Sequence, residues 1–533
     1  MKNRKIVIAT IVMIFMFAQF SVFIKKANAE TTTGSYGSIS WSYDSKTKIM
    51  TFSGSGEISM KNLLEWKRYD LTVEKIIIND GITSIRANAF DHCTNLTSIE
   101  IPSSVTSIDS WAFFGCTSLT NIEVDNNNKQ YCSVDGVLFN KSKDKLIKCP
   151  GRKRGNYQIP DYVTTIGSHA FEGCTSLTSI EIPNSVTSIN SDALDNCTSL
   201  TSIEVDNSNE QYCSVDGVLF NKSKDELIKC PGGKQGNYQI PDYVTTIGNH
   251  AFEGCTGLAS IEIPSSVTTI NAYAFYKCTS LTSIEVDNNN EQYCSVDGVL
   301  FNKSKDELIR CPGGKQGNYQ IPDYVTKIGP AAFYYCTSLT SIEIPSSVTT
   351  IGVAAFSNCR GLTSIKIPSS VTSIGESAFY YCTSLTSIEI PSSVTAIENS
   401  TFVNCTSLTS IEIPSSVTSI GDNVFHMIDN YTSLTIYCEP DSTAHQYAKE
   451  NYIQFVFGHI PPTTSTPDSE GNKEQSNNDT EVNGNNDKSK TANDDTKSNK
   501  IIPQTGARCS IPIIVILAII VYRNYKKSRK YNQ

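Results

Sequence analysis

The sequence predicts an α/β solenoid that is mostly β, in which short coils of chain stack along one axis. Three observations predict this fold class. A Val-Thr-x-Ile box recurs at regular intervals, apolar and polar residues alternate before each box, and an aromatic residue follows the box at a constant distance. A single unit of this kind cannot bury its apolar face, whereas stacked units share one continuous core.

The boxes recur at a short interval, as from Ile85 to Ile108, or at a longer one where an insert intervenes, as from Ile108 to Ile166. The two intervals together make a larger period, from Ile85 to Ile166, that repeats along the chain. The last residues of the boxes are Ile85, Ile108, Ile166, Ile189, Ile247, Ile270, Ile328, Ile351, Ile374, Ile397 and Ile420. Eleven boxes predict eleven coils.

Each coil combines a short strand with a buried aromatic residue. In the unit 96–108, Ile99 and Ile101 flank Glu100 with the two-residue period of a strand that has one face inward, and the apolar spacing is that of a leucine-rich repeat. The aromatic residues predict an internal spine. Its members are Phe90, Phe113, Phe171, Phe252, Phe275, Phe333, Phe356, Phe379, Phe402 and Phe425, with Leu194 in one coil.

A solenoid needs a cap at each end. Residues 30–72, which include Trp41, predict an N-terminal cap on the solenoid of residues 73–427. Residues 428–459 predict a C-terminal cap with a short helix over 442–451.

Three nearly identical inserts interrupt the repeats, near 125–160, 206–241 and 287–322. In the first, residues 134–139 and 146–149 predict a β-hairpin whose tip is Lys141-Ser142-Lys143. We expect the three β-hairpins to project from one side of the solenoid, where recurring loops often form a binding surface.

The unit Cys-Thr-Ser-Leu-Thr-Ser-Ile-Glu-Ile-Pro-Ser-Ser-Val-Thr-Ser-Ile-Gly, followed by Ala-Phe, resembles the BspA-type leucine-rich repeats of bacterial surface proteins. The inserts and both caps share the resemblance, which covers about residues 34–458. It implies a cell-surface protein or adhesin, a group in which several members bind host matrix or plasma proteins. It implies no enzymatic activity.

The amino end is typical of a secretory signal peptide over residues 1–29. A basic cluster precedes the apolar run 6–24, and Ala27-Asn28-Ala29 is the small-x-small pattern of a cleavage site. An uncleaved anchor is the alternative, because the apolar run is longer than usual.

The carboxyl end, residues 502–533, resembles the Leu-Pro-x-Thr-Gly wall-sorting signal of Gram-positive surface proteins. Its pentapeptide is Ile502, Pro503, Gln504, Thr505 and Gly506. The apolar run 511–522 and a basic tail follow. The resemblance implies transient membrane contact through that run and cleavage by a sortase, which joins Thr505 to peptidoglycan. Ile502 in place of Leu leaves the sortase class open, and a simple tail anchor is the alternative.

Charge is distributed unevenly along the chain. The net charge is −9, but residues 1–29 hold five cations and residues 506–533 hold six, with no acid in either segment, so residues 30–505 carry −20. This balance argues against nucleic-acid binding, which needs a basic excess. Residues 460–501 are polar and have almost no large apolar side chain, which predicts a disordered linker across the wall.

One charged position recurs between the inward isoleucines of successive strands. It is occupied by Glu100, Glu123, Glu181, Glu204, Glu262, Glu285, Glu343, Lys366, Glu389 and Glu412. Stacking predicts a file of carboxylates about 5 Å apart on one face. The file is either a solvated position copied by repeat duplication or a ligand face for a basic protein or divalent cations.

Ten cysteines share one repeat position, and we interpret them as small buried apolar residues because neighbouring strands hold Cβ atoms about 4.8 Å apart, too far for an ordinary disulfide. They are Cys93, Cys116, Cys174, Cys197, Cys255, Cys278, Cys336, Cys359, Cys382 and Cys405. Six more are candidate disulfides, one per hairpin, with free thiols as the alternative. The pairs are Cys132 with Cys149, Cys213 with Cys230 and Cys294 with Cys311.

No motif predicts catalysis, a cofactor or a metal. His-Glu-x-x-His is absent, Lys234 lacks the other residues of a phosphate loop, and the sequence from Asp287 lacks the glycine of a calcium loop. His169 and His250 occupy the same repeat position, which argues against a unique catalytic base.

We therefore expect a wall-anchored surface protein that uses its solenoid for protein binding or adhesion to host matrix or cells. A structural spacer of the envelope, or a binder of other bacteria without a host ligand, is the alternative.

Overall fold

The computed structural model describes residues 31–59, 69, 72–428 and 434–460. The described residues form the predicted solenoid, which is mostly β. Each coil contributes a long strand, a short strand and a turn. The predicted signal peptide, the sorting signal and all but the first residue of the predicted linker lie outside the described residues.

The long strands form four sheets, parallel apart from an N-terminal hairpin, and their inward isoleucines are buried. These strands are Ile49–Gly54, Lys75–Ile78, Ser98–Ile101, Asn121–Val124, Gly155–Gln158, Leu177–Ile182, Ser202–Val205, Gln235–Gln239, Gly257–Ile263, Ser283–Val286, Gly317–Gln320, Leu339–Glu343, Ser364–Lys366, Ser387–Glu389, Ser410–Glu412, Thr435–Cys438 and Gln454–Phe457. We call this surface the long-strand face.

Eleven of the short strands end in the Val-Thr-x-Ile boxes, the twelfth, Gly56–Ile58, precedes them, and neighbouring strands pair in parallel. They are Gly56–Ile58, Ile82–Ile85, Ser107–Ile108, Thr165–Ile166, Ser188–Ile189, Thr246–Ile247, Thr269–Ile270, Lys327–Ile328, Thr350–Ile351, Ser373–Ile374, Ala396–Ile397 and Ser419–Ile420.

The predicted phenylalanine spine is present behind the turns. All ten phenylalanines and Leu194 are buried, and the rings of Phe333, Phe356, Phe379 and Phe402 lie 5.2–5.5 Å apart, centroid to centroid, in succession. The ten repeat cysteines are buried free thiols, as expected. Several of them also donate a weak hydrogen bond to the carbonyl of the preceding coil, as Cys359 Sγ does to Phe333 O at 3.1 Å.

Both ends of the solenoid carry additional structure. An antiparallel hairpin, Thr31–Tyr36 and Ile39–Asp44, pairs with Ile49–Gly54 and buries Trp41. At the other end the expected helix α1, Thr443–Asn451, begins at Ser442, whose side chain accepts the backbone N–H of His445. Within the residues that the structure describes, we find no helix long and apolar enough to cross a membrane.

The inserts do not project, which corrects the expectation for them. Each insert is itself a coil of the solenoid. Its three strands form a meander, and the last of them joins the short-strand ladder. They are Tyr131–Val134, Val137–Asn140 and Lys145–Lys148, then Tyr212–Val215, Val218–Asn221 and Glu226–Lys229, then Tyr293–Val296, Val299–Asn302 and Glu307–Arg310.

Burial explains why the inserts stay inside the stack. Val137, Leu138 and Phe139 are at most 1% exposed, whereas the expected Lys-Ser-Lys tip and the residues of the adjoining turns lie in solvent. The strand that follows, Gly155–Gln158, adds a further member to the long-strand face. Across residues 31–460, apart from the undescribed gaps, the long strands therefore number seventeen, rather than one for each of the eleven boxes.

The candidate disulfides are also corrected, because all six hairpin cysteines are free thiols. Cys132 Sγ donates to Asn140 O at 3.3 Å and Cys149 Sγ to Pro150 O at 3.9 Å. Equivalent contacts recur in the other two inserts.

We expect Gly217→Ala to destabilise the protein more than Gly236→Ala. Both glycines have positive φ, +74° and +75°, so both alanines bear the left-handed penalty of about 1–2 kcal/mol. A Cβ on Gly217 would also meet Ser202 Oγ at 2.7 Å, whereas nothing lies within 4 Å of one on Gly236. Urea unfolding followed by circular dichroism measures the difference, and equal midpoints would show that the close approach to Ser202 is not a constraint.

Candidate functional site

A groove of about 760 Å³ runs along the turns of the solenoid, from the coil of His92 to the coil of Tyr381. We call it the turn groove. Most of its side chains come from three positions of each coil: the residue before the Ala-Phe pair and the two residues between Phe and Cys. In the coil of Phe171 these are His169, Glu172 and Gly173.

The backbone places the last of these positions in the same way in every coil that carries a box. Each such residue has a positive φ, between +54° and +77°. They are His92, Gly115, Gly173, Asn196, Gly254, Lys277, Tyr335, Asn358, Tyr381, Asn404 and Met427. Glycine and asparagine suit this conformation, whereas a tyrosine or lysine adopts it at a cost.

Backbone hydrogen bonds between successive turns hold these side chains in register. Tyr335 N donates to Ser357 O at 3.1 Å, and Tyr381 N donates to Val403 O at 2.8 Å. The groove is therefore built on a rigid ladder rather than on free loops.

The N-terminal half of the turn groove contains a network of buried charges. Lys229 Nζ lies 2.6 Å from Asp195 Oδ1, and Lys277 Nζ lies 3.3 Å from Glu253 Oε1. His250 Nδ1 contacts both acids, Glu253 by a short hydrogen bond and Asp195 Oδ2 at 3.3 Å.

Burial and pairing shift the pKa values in this network in opposite directions. Burial raises the pKa of Asp195 to about 6. Burial alone would also raise the pKa of Glu253, but His250, Lys277 and Lys229 together hold it at about 2. For His250, burial favours the neutral ring, yet its contacts with Glu253 and Asp195 outweigh this effect and raise its pKa.

The same residues bring three possible metal ligands together. Each of these ligands offers one donor atom, and the three atoms, from Asp195, His250 and Glu253, lie within 4.8 Å of one another. A divalent ion here would compete with the ammonium groups of Lys229 and Lys277, which already contact both carboxylates. The donor set therefore fits an ion-pair network better than a metal site.

An aromatic wall flanks the charged network. The ring of His169 lies 4.0 Å from the ring of Trp111, centroid to centroid, and its Nε2 lies 3.2 Å from Asp192 Oδ2. Burial lowers the pKa of His169, so this ring is neutral at pH 7. Trp111 is 42% exposed and presents an apolar surface to the groove.

Tyrosines dominate the C-terminal half. Tyr276 and Tyr334 stack at 3.9 Å between ring centroids, and Tyr380 lies 4.6 Å from Tyr381. Burial raises the pKa of Tyr276 and Tyr334, and it raises that of Tyr380 to about 12. A tyrosine with its ordinary pKa is already protonated at neutral pH, and the raised values extend this state to higher pH, so these phenols can donate hydrogen bonds.

The sequence of these coils matches a known family of repeat proteins. The family model for the BspA type leucine rich repeat region matches in six copies, over residues 68–150, 152–226, 232–305 and 315–444. The chain belongs to the BspA-type leucine-rich repeat family. A comparison with curated proteins finds no match.

Solved structures with similar chains include three bacterial proteins. A leucine-rich repeat protein from Eubacterium ventriosum is 25% identical in sequence. Its alignment covers 75% of this chain and 95% of the Eubacterium chain, with a TM-score of 0.35. A leucine rich cell surface protein from Faecalibacterium prausnitzii is 26% identical, covering 73% and 94%, with a TM-score of 0.34. The pneumococcal vaccine antigen PcpA is 17% identical, covering 80% and 99%, with a TM-score of 0.34.

In this BspA-type array, the expected file of glutamates is interrupted. The position forms adjacent pairs across neighbouring long strands, which are Glu100 with Glu123, Glu181 with Glu204, Glu262 with Glu285, Glu343 with Lys366 and Glu389 with Glu412. A glutamine from an insert coil occupies the position before three of these pairs, as Gln158 does beside Glu181. Glu100 is paired with Lys75, and Glu412 with His459.

Sequence reasoning missed the turn groove, and it set aside His169 and His250, which both line it. The sequence does contain a pattern that points to the groove. The BspA-type coils are nearly identical in their strands, yet the residues between Phe and Cys change from Glu172-Gly173 to Tyr334-Tyr335 and Ser357-Asn358. The predicted sorting residues 502–506 lie outside the described residues.

We expect His250→Asn to destabilise the BspA-type solenoid more at pH 6 than at pH 9. The folded-state pKa of His250 is raised, so its protonated form contributes stability that is complete below the unfolded value of about 6.5 and is lost as pH rises through the folded value. Thermal unfolding of both proteins at the two pH values measures this.

His92→Asn is the control, because His92 lies in the same groove with a side chain 62% exposed. Its effect should be small at both pH values, because solvent screens the contact of His92 Nδ1 with Asp91 Oδ2 at 3.6 Å. A His250→Asn effect that is the same at pH 6 and pH 9 would contradict the assignment of a charged His250.

Proposed function

We propose that this chain is a surface protein attached to the wall of a Gram-positive cell and that its solenoid binds a protein ligand through the turn groove. The observation that carries the proposal is the cluster of tyrosines in that groove. Tyrosine and arginine are enriched where protein interfaces gain most of their binding energy. The same cluster includes Arg360, which lines the groove beside Tyr381.

The backbone conformation supports this proposal. Tyr335 and Tyr381 occupy left-handed positions, at φ +59° each, where glycine stands in three equivalent coils. A turn alone would be better served by glycine. Bulky side chains at positions where they strain the backbone indicate that the side chains themselves have a role.

Binding is a better assignment than catalysis for this groove. In the charged network, Asp195, Glu253 and His250 already contact Lys229, Lys277 or one another, which leaves these groups engaged in ion pairs.

For display, we propose export by residues 1–29 and covalent attachment to peptidoglycan through Thr505 by a sortase. The supporting features are the order of the sorting pentapeptide, apolar run and basic tail, and the polar segment 460–501 before them. Host extracellular matrix is the proposed source of the ligand. A spacer of the envelope or an interbacterial binder remains the alternative.

Binding of secreted residues 30–505 to immobilised host matrix proteins, host cells and other bacteria tests the groove. The variant Tyr380→Ser/Tyr381→Asn copies Ser357-Asn358 of the preceding coil and so keeps a residue that tolerates positive φ. We expect it to weaken binding by roughly 10-fold or more, as loss of interface anchors does.

The control variant is Glu262→Gln/Glu285→Gln, a paired set on the long-strand face. Loss of binding in this control, with the tyrosine variant unaffected, would transfer the ligand site to the glutamates. Binding to none of the three targets at low salt would favour the spacer.

We expect Thr505→Ala to remove the protein from the wall fraction. The wild-type chain should be released by digestion of peptidoglycan, whereas the variant should appear in the membrane fraction or the medium. Thr496→Ala, in the linker, is the matched control and should behave as wild type. Recovery of the wild-type chain in the membrane fraction would instead indicate a simple tail anchor.

A further inference from the structure

Arg360 is a unique departure within the repeat. The residue after the repeat cysteine is threonine in the nine other coils, and arginine occurs there only at 360. The coils on either side carry Tyr334-Tyr335 and Tyr380-Tyr381 in the turn groove. Three consecutive coils therefore carry unusual side chains at the turn positions around the repeat cysteine.

These departures meet in space. The guanidinium carbon of Arg360 lies 6.0 Å from the ring centroid of Tyr335 and 5.9 Å from that of Tyr381, so it is held between two tyrosines of different coils. Arg360 Nη2 donates to Asn358 Oδ1 at 3.3 Å, and Asn358 Nδ2 donates to Tyr334 Oη at 3.4 Å. Asn358 is buried, which fixes this side of the guanidinium.

Charge distinguishes Arg360 from the other cations that line the groove. Lys277 contacts the carboxylate of Glu253. Arg360 makes no ion pair with any described residue, and its side chain is exposed to the groove. Most of its five N–H donors are therefore available to a ligand.

We propose that Arg360, between Tyr335 and Tyr381, is a subsite for a carboxylate, in which an aspartate or glutamate side chain of a protein ligand anchors in the turn groove. This rests on the proposed function of the groove. The planar guanidinium can bind a carboxylate through two parallel hydrogen bonds. Its placement between two rings restricts its conformations before binding, which lowers the entropy cost.

The rest of the groove favours a protein ligand over a uniformly anionic polymer. Asp195, Glu253 and Glu172 line the same groove, and residues 30–505 carry a net charge of −20. A long polyanion would be repelled by this net negative charge. A protein segment that presents one acid among apolar and neutral side chains would not.

The test uses residues 30–505 and a random dodecapeptide library displayed on phage. Peptides selected on the wild-type protein should be enriched in Asp or Glu, and selection on Arg360→Thr should lose that enrichment. Arg360→Thr restores the residue of the nine other coils, so the fold should persist, and thermal unfolding checks this. Lys366→Gln removes one positive charge from the long-strand face, outside the turn groove, and should leave the enrichment unchanged.

A selected peptide and its Glu→Gln version then complete the experiment. The Kd of the acidic peptide should rise roughly 10- to 100-fold on Arg360→Thr, as expected for a hydrogen-bonded charge, and the Kd of the Gln version should not change. Equal effects on both peptides would overturn the subsite.

The outcomes separate the two proposals. Peptides whose binding depends on Tyr380 and Tyr381 but shows no acidic preference would leave groove binding standing and overturn the carboxylate subsite. Selection that is indifferent to Tyr380→Ser/Tyr381→Asn would overturn groove binding itself. Binding of heparin that depends on Arg360, without acidic peptides, would assign the site to a sulfated polysaccharide instead.

Discussion

The register between successive coils is the constraint on which the rest of this structure depends. Backbone hydrogen bonds join neighbouring coils along the long strands, the short strands and the turns, so each repeat position is stacked on its equivalent. The same register aligns the phenylalanine rings inside and the groove side chains outside. A change at one position therefore acts on a neighbour at a known place in the next coil, rather than on an independent loop.

The sequence predicted the features that the repeat makes periodic. The coil period, the phenylalanine spine, the buried cysteines and helix α1 follow from regular apolar spacing or local helix signals. The inserts were misjudged because Gly155–Gln158 has no isoleucine pair, and only Tyr157 lies against the spine, with its ring 5.6 Å from that of Phe171. A strand with one inward aromatic residue does not show a two-residue period.

Buried charge was equally hard to predict. Lys148 is the last residue of an insert strand, where the sequence pattern predicts a solvent-exposed side chain. In the structure it is 4% exposed and donates hydrogen bonds to the carbonyls of His169 and Glu172. Lys229 and Arg310 occupy the same place in the other inserts. Their burial depends on carbonyls of the following coil, which no local pattern reveals. The turn groove was missed for a similar reason, because it is assembled from positions that belong to different coils and lie far apart in the sequence.

The three insert coils recur at equal intervals with nearly identical sequence, and each such module contains three long strands, for example Gly155–Gln158 to Ser202–Val205. Removing residues 206–286 would join Val205 to Asp287, a junction with the same local sequence as the native one. The coils on either side would stay in register while the solenoid shortened by about 14 Å, at about 4.8 Å per strand. The number of modules therefore sets the distance between Trp111 and Arg360. Recombination between copies can change this distance in fixed steps without creating a new fold.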